Sequence, residues 1–546
     1  MKNIYNIFAI AACILATSCL QDLNTLPLND YDKTSEVAYV DGESYLKGLA
    51  YINAYYNFVS QNDPGNSDLT SFSDAGQSEL MRMWTVLNDI PTKSMDISWP
   101  NDSYVEPLSS HTWTNAANTA ITAVYTRALK GIVLVNEFLL QTTDEKLAAR
   151  GHTEFKGQVA QYRAEARFHR AMFNYMLLDL FGNPPYATAD NIGGELPKQF
   201  DTDFAKGRAG FFDALEKELL DLVSDSSDMP AKGDVPYPRP NKDAAKALLA
   251  RLYLNAEVYT GTARWADAKK YASEVIGNGY SLHPNYAELF LQDNGEKCAN
   301  DEFIFAIEYD TNCARSWGGT TTLSSGAFND DMNLAISAYL GTSTPYVSAE
   351  TWNGYRIDPQ FIADNAEGIE YDPSLPLGYD PSKGDQRLRL FIQEDPSTYS
   401  GPAETAGWRL WKWAKMDSQM NVIPRGEADN PDWKFSSADL AIFRLPEMYY
   451  IVAESDARLS GGTTTDATAV GYINALRKRA GLSSNATSYT VQQILKDKAI
   501  EMLWEGQRRQ DEIRLGIFDS DHNRYVYPLL ETDRSVNTSL QQNPGY

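Results

Sequence analysis

Excess positive charge is missing from this chain. Lys and Arg number 48 against 73 Asp and Glu, a formal net charge of −25 over 546 residues. Such a field repels phosphate backbones, so nucleic-acid binding would need a local basic patch. The densest basic cluster, Arg477-Lys478-Arg479, lies inside an amphipathic helical pattern and is no such patch. Long apolar runs are missing as well: after residue 18 nothing approaches the ~20 residues that cross a bilayer. Histidine is scarce, five in all, and no His-x-x-x-His pair occurs. There is no Gly-x-Ser-x-Gly elbow and no phosphate-cradling glycine loop. Asp519-Ser520-Asp521-His522-Asn523 starts like a calcium loop but has Arg524 where the turn Gly belongs and Leu530 where the bidentate Glu belongs. Cysteines number four, too few and too far from histidine for a zinc site. No cofactor or metal is expected.

What is present starts at the N-terminus. Lys2 is followed by an apolar segment from Ile4 to Leu15 and by the small residues Ala16-Thr17-Ser18. This predicts a secretory signal peptide over 1–18, too short for a membrane span. Cys19 directly after the small residues resembles the bacterial lipobox, which implies cleavage before Cys19 and lipid on its new N-terminus. A plain secreted protein is the competing reading. Cys13 leaves with the signal. Cys298 and Cys313 remain; beyond the inner membrane they could join, and the sequence leaves that open.

Residues 19–36 read as a polar, lipid-anchored linker. Residues 37–279 read as a helical scaffold with binding loops. Val37, Tyr45, Leu49 and Ile52 suggest a first helix, and apolar periodicity predicts others over 115–141, 156–181, 208–223, 241–258 and 263–277. The 156–181 helix stops at Gly182-Asn183-Pro184-Pro185. Residues 280–436 form an irregular, loop-rich lobe with short strand-like runs such as Phe303–Ile307 and one short helix over 333–340. Loops this long usually carry function. Helical pattern returns in 437–546, over 437–459, 466–480 and 489–515. The fold class expected is mainly α, a tetratricopeptide-like helical-repeat scaffold with an inserted irregular lobe. Unrelated helical hairpins are the alternative.

Three segments, in order along the chain, carry a more specific signal. They are Ala164-Glu165-Ala166-Arg167-Phe168-His169-Arg170-Ala171, running to Phe181-Gly182-Asn183-Pro184-Pro185; Phe443-Arg444-Leu445-Pro446-Glu447-Met448-Tyr449-Tyr450; and Glu501-Met502-Leu503-Trp504-Glu505-Gly506-Gln507-Arg508 with Asp511 and Arg514. Together with the lipobox and the ending Gln542-Asn543-Pro544-Gly545-Tyr546, they resemble the SusD/RagB family of outer-membrane nutrient-binding lipoproteins. Two positions depart from the family: Asp497-Lys498 stands for Glu-Arg, and Arg509 for an aromatic. The resemblance implies a non-enzymatic, lipid-anchored outer-membrane protein, exposed at the cell surface. It would capture a glycan and deliver it to a SusC-like TonB-dependent transporter. A peptide-binding or mainly structural partner of such a transporter is the alternative, and a glycoside hydrolase a further one, since its two carboxylates need no local pattern.

The charges inside these motifs read as structural. Glu501, Glu505 and Arg508 fall three or four apart and are expected to pair along one helix, with Asp511 and Arg514 extending the stripe. A catalytic Glu–Arg pair is the sharper alternative. His169 sits on an apolar stripe and reads as a satisfied core residue.

A sugar site wants flat aromatic surface rimmed by a few polar groups. Asp74, Arg82, Trp84, Ile97, Trp99, Asn101 and Asp102 crowd one weakly periodic stretch. It resembles the segment from which starch-binding family members draw an acid, an arginine and stacking tryptophans. Asp74 and Arg82 match the polar pair and Trp99 a stacking position; Ile97 stands where a second aromatic would be, and Asp102 near an amide position. In the lobe, Trp317 beside Gly318-Gly319 and Trp352 beside Asn353-Gly354 add candidates, because glycines let backbone approach a ligand closely. The competing reading places each in a small core under the loop. Trp408, Trp411 and Trp413 read as packing residues of a strand. The expected ligand-binding set is Asp74, Arg82, Trp99, Asp102, Trp317 and Trp352.

Overall fold

A computed structural model of the chain describes residues 38–60, 64–299, 301–311, 313–342, 344, 347–348, 350–422 and 431–546. The leader 1–18, Cys19 and the whole 19–36 linker concern residues outside this set.

Helices build the frame. Asn118 accepts hydrogen bonds from the backbone of Ala120 and Ile121, opening the helix Thr119–Gln141. That helix packs on Lys156–Phe181, which packs on Phe204–Val223. Lys242–Leu254 packs on Trp265–Ile276, and Trp265–Ile276 on Leu445–Leu459, which also carries Ala467–Arg479 and Val491–Glu501. The Lys156–Phe181 helix ends as its sequence predicts: Gly182 takes φ +69, and a Cβ there would lie 2.7 Å from the Phe204 ring. No helix among the described residues is long and apolar enough to cross a membrane.

Two helical expectations are corrected. Within 437–459, residues Leu440–Arg444 form a strand paired antiparallel with Phe303–Ile307, and the helix starts at Leu445 with Pro446 in its first turn. Residues 489–515 are two helices, Val491–Glu501 and Arg508–Leu515, separated by a turn in which Trp504 (φ +60) and Gly506 (φ +68) are left-handed. Tertiary bonds hold that break: Trp504 Nε1 donates to Ser94 O at 2.7 Å, and Gly506 N to Asp89 Oδ2 at 3.2 Å. The stretch 280–436 contains the expected short helix as Asp330–Leu340, but also Gly319–Ser325 and Pro359–Asn365. Trp408, Trp411 and Trp413 are buried, as packing residues should be. Cys298 is buried, Cys313 is exposed, and the two are unpaired.

Because the 489–515 helix breaks, Glu501 and Glu505 pair across elements and not with Arg508 along one face, whereas Asp511 does pair with Arg514, and Arg508 with Glu512, along the second helix, each at 2.7 Å. Arg444, fully buried, reaches Glu501 at 2.5 Å, Glu505 at 2.8 Å and Glu302 at 3.1 Å. Arg387 reaches Asp385, Asp497 and Glu501; Arg479 reaches Glu302 and Glu501; Lys412 reaches Glu505. Burial opposes ionisation of Glu501, but the guanidinium groups of Arg479, Arg444 and Arg387 hold its carboxyl far below the ordinary range. Arg509 and Asp179 form a buried pair at 2.9 Å, which accounts for a charged residue at that position. Lys498 pairs with Asp511. Glu165 binds Arg239, and Arg167 and Arg170 bind Glu218. These carboxylates are thus engaged in fixing helix crossings. His169 is in the core; Tyr56 meets its Nδ1 at 3.2 Å, its Nε2 has no partner, and burial pushes its pKa down to about 3.

Candidate functional site

The turn Ala75–Ser78 opens on Asp74, whose carboxylate accepts from Gly76 N at 2.9 Å. The next helix, Leu80–Asp89, is capped by Glu79, which accepts from the Arg82 backbone and from the Tyr309 hydroxyl. Arg82 is thereby fixed one turn into a buried helix, its side chain 4% exposed, with Asp74 Oδ2 3.8 Å from Nη1. Burial works against its charge, yet the facing Tyr355, Tyr104, Asp74 and Asp102 carry its pKa above the ordinary value. Its Nε has no hydrogen-bond partner. Asp102 accepts from Gln77 Nε2 at 3.1 Å and from the Tyr104 hydroxyl at 3.0 Å.

The aromatic side of the site is assembled from three separate segments. The two-residue strand Asp96–Ile97 pairs antiparallel with Tyr355–Arg356, placing Ile97 opposite Tyr355. Ser98 N continues the contact to Gly354 O at 2.9 Å. Trp99 then lies against the 352–355 segment, donating from Nε1 to Trp352 O at 3.2 Å, its ring centroid 5.4 Å from that of Tyr355. Trp99 and Trp352 are 6.4 Å apart and inclined by 56°; Trp352 and Trp317 are 6.0 Å apart and inclined by 45°. Phe435 backs Trp317 at 4.5 Å. The Arg82 guanidinium sits 5.9 Å from the Trp99 centroid, within cation–π range.

Asp74, Arg82, Trp99, Asp102, Trp317 and Trp352 all line one cavity of about 670 Å³. The three indoles are half-buried, leaving part of each ring open. Trp84 and Ile97 are not among them. Both are buried, Trp84 against Tyr175 and beneath Gly506, Ile97 in the strand pair. Asn101 is exposed and lines no part of the cavity. The glycines beside the tryptophans act differently from the expectation. A Cβ on Gly354 would lie 2.1 Å from the Trp99 ring, and one on Gly318 would lie 2.5 Å from the Glu79 carboxyl. They make room for protein side chains and not for a ligand.

Several supporting residues carry no local sequence signal. Tyr355 is a buried floor under Trp99, its hydroxyl pushed up to about 12 by burial against the opposing effect of Arg82. Arg356, fully buried, donates to the carbonyls of Asn353, Ala403, Glu404 and Ala406 and so pins the turn that carries Trp352. Glu79, fully buried, has its carboxyl pushed up to about 7 by burial.

A larger cavity, about 930 Å³, lies elsewhere, lined by groups such as Lys93, His111, Gln493, Arg508 and Asp519. Its aromatic residues, Phe361 and Phe518, are buried, so it offers no ring face to a sugar. Among the described residues no cluster of His, Cys, Asp and Glu could hold a metal ion. Of these two cavities, the one with the three indoles has the chemistry that suits a carbohydrate: apolar plates for C–H faces, and a guanidinium with carboxylates for hydroxyls.

Comparison with known proteins bears on the family and the fold. A model of the SusD family matches residues 253–524, and a model described as starch-binding, associating with the outer membrane, matches residues 68–254. The starch-binding protein SusD of Bacteroides thetaiotaomicron is 29% identical over 97% of this chain and 96% of its own length. A SusD-like protein P2 of Formosa agariphila is 24% identical over 72% of this chain and 75% of its own. In fold, a SusD homologue from B. thetaiotaomicron superposes with a TM-score of 0.65 at 17% identity, covering 94% of this chain and 98% of that one. The surface glycan-binding protein A of the same organism, solved with laminarihexaose, gives 0.61 at 17% identity over 92% and 99%. Two adjoining family matches, near-complete alignment to a curated relative and a shared fold lead to one conclusion: the chain belongs to the SusD/RagB family.

Proposed function

We propose that this protein binds a glycan in the cavity between Arg82 and the three tryptophans, and hands it to a SusC-like TonB-dependent transporter. Lipid on Cys19 would moor it to the outer membrane at the cell surface. The observation that carries the reading is the set Trp99, Trp352 and Trp317, half-open and tilted against one another, with Arg82, Asp74 and Asp102 lining the same cavity. Rings inclined by 45° and 56° cannot lie together against a flat ribbon of sugars; they follow a curved chain. Relatives described as starch-binding, or solved with laminarihexaose, are in keeping with a curved glucan.

The reading is non-catalytic. Titration calorimetry with maltoheptaose, laminarihexaose and cellohexaose tests it. Binding of a curved glucan and none of cellohexaose is expected. Trp99→Ala should weaken that binding by about 1–3 kcal/mol, the scale of an aromatic anchor, without unfolding the protein. Affinity unchanged in Trp99→Ala removes the cavity from the reading. Signal confined to a peptide library would replace the glycan with a peptide. Shortened sugars after incubation, seen by chromatography, would make the protein a hydrolase.

A further inference from the structure

Most buried arginines among the described residues pair with acids. Arg444, Arg387, Arg251, Arg509 and Arg514 each have a carboxylate oxygen within 2.9 Å. Arg208, on the helix Phe204–Val223 and 6% exposed, has none in salt-bridge range among the described residues. Its one hydrogen bond is from Nη1 to Val258 O at 3.2 Å, and its Nε is without a partner. The acid it faces, Asp179, is already taken up by Arg509 at 2.9 Å, the Tyr259 hydroxyl at 2.7 Å and Gln510 at 3.2 Å. Tyr259 contributes only its ring, 4.9 Å from the guanidinium. Of the other buried arginines without an acid, Arg356 donates to several carbonyls, Arg409 donates to Gln393 and the Glu404 carbonyl, and Arg389 lies 3.8 Å over Trp411 with its Nη1 unpartnered.

Arg208 lines a cavity of about 290 Å³ that shares no residue with the aromatic site. Phe204, Val258 and Pro544 supply apolar wall, while His522 and Asn523 are exposed at the rim. No Asp or Glu lines it. Burial pulls the Arg208 pKa down to about 10, so the group is still a cation at neutral pH. A desolvated guanidinium with free donors, facing space and no acid, is costly in an empty site and is matched by a planar or tetrahedral oxyanion.

We propose that this cavity is an oxyanion subsite, in which Arg208 receives the carboxylate or phosphate of a small ligand and His522 and Asn523 frame the entrance. Its volume is below the ~300–1,000 Å³ of whole small-molecule sites, so it suits a single acidic group or sugar acid and not a chain.

Titration calorimetry on the folded protein with glucuronate, inorganic phosphate and glucose tests this. Saturable binding of glucuronate or phosphate is expected, with no heat from glucose; the anion that binds tells carboxylate from phosphate. Arg208→Met should lose at least tenfold in anion affinity while binding glycans at the aromatic cavity as before. His522→Glu changes an exposed residue, so folding is not at stake, and it sets a competing carboxylate at the rim; a tenfold loss is expected there too. Absence of anion binding at millimolar concentration, equal binding of glucose, or unchanged anion affinity in either variant overturns the proposal. Because the aromatic cavity is monitored separately, failure here leaves the glycan reading standing.

Discussion

At the centre of the scaffold Arg444 touches three carboxylates, the farthest at 3.1 Å, and Glu501 answers three arginines. At the aromatic cavity Arg82 meets its nearest acid, Asp74, only at 3.8 Å, and its Nε has no partner. Both guanidinium groups are buried. The difference is that the central arginines hold several carboxylates at bonding distance, whereas Arg82 has only Asp74, at 3.8 Å, and otherwise faces rings and the Tyr355 hydroxyl. A satisfied network locks helices together and has nothing left to offer a ligand. A partly engaged arginine beside half-open rings retains a donor, its Nε, for hydroxyls from outside. Buried charge is found in both regions; what separates frame from site is whether the hydrogen-bonding capacity is spent.

Breaking the frame should cost most. Arg444→Met leaves Glu501, Glu505 and Glu302 short of a shared cation in the core. A loss of about 3–5 kcal/mol is expected, the scale for removing one partner of a buried ion pair. Urea unfolding measures it. A loss below 1 kcal/mol would mean that the network is dispensable to the frame.

Two sets of buried carboxyls should also answer pH in opposite directions. Arg514, Arg458 and Lys498 outweigh burial and hold the Glu454 carboxyl at about 2, and Glu501 is depressed as well. Depressed carboxyls stabilise the fold above their unfolded pKa, and that stability is lost as pH falls from about 4.5 toward 2. Glu79, beneath the cavity, is raised to about 7 by burial, as are Asp89, at the end of the helix that Glu79 caps, and Asp439. Raised carboxyls have their full stabilising effect below the unfolded pKa and lose it as pH climbs through 7. Stability should therefore be greatest near pH 5 and fall on both sides. Glu79→Gln should remove roughly a third of the decline between pH 5 and 8, on the order of 2 kcal/mol. Thermal melts across that range give the slope; an identical slope in the variant would show that Glu79 does not titrate there.

How each region could be read from sequence follows the same division. The helix Lys156–Phe181 was legible because its apolar positions repeat at helical spacing and Gly182-Asn183-Pro184-Pro185 ends it. The Leu440–Arg444 strand was not, because a short continuous apolar run looks alike in a buried strand and a buried helix. The helix break at 502–507 was hidden too: it is imposed by bonds to Ser94 and Asp89, far away in the chain. The candidate residues could be named one by one from chemistry, as tryptophans near acids and an arginine. Their meeting in one cavity depends on the pairing of Asp96–Ile97 with Tyr355–Arg356, which no local pattern announces. The glycine near Trp352 serves the protein's own packing and not a ligand's approach. Gly354 is small because Trp99 occupies the space where a Cβ would go. Gly354→Ala should therefore tilt the Trp99 ring and weaken glycan binding by about 1–3 kcal/mol, close to Trp99→Ala itself, with some loss of stability from overpacking. Calorimetry beside a melt separates the two effects, and unchanged affinity would show that the ring angle is not what the glycan reads.

The finest distinction is between an acid that holds Arg82 and one that holds the ligand. The Asp74 side chain is 48% exposed and 3.8 Å from Arg82, so solvent screens most of the pair. Its backbone role, accepting from Gly76 N, survives in Asn, whose side-chain oxygen can accept the same bond. Asp74→Asn should therefore shift stability by less than about 0.5 kcal/mol. If the exposed carboxylate oxygen accepts a sugar hydroxyl, affinity should fall by about 1 kcal/mol, the net contribution of one hydrogen bond. A melt and a titration on the same variant decide between them. Stability lost with affinity intact would make Asp74 part of the frame and move it out of the site.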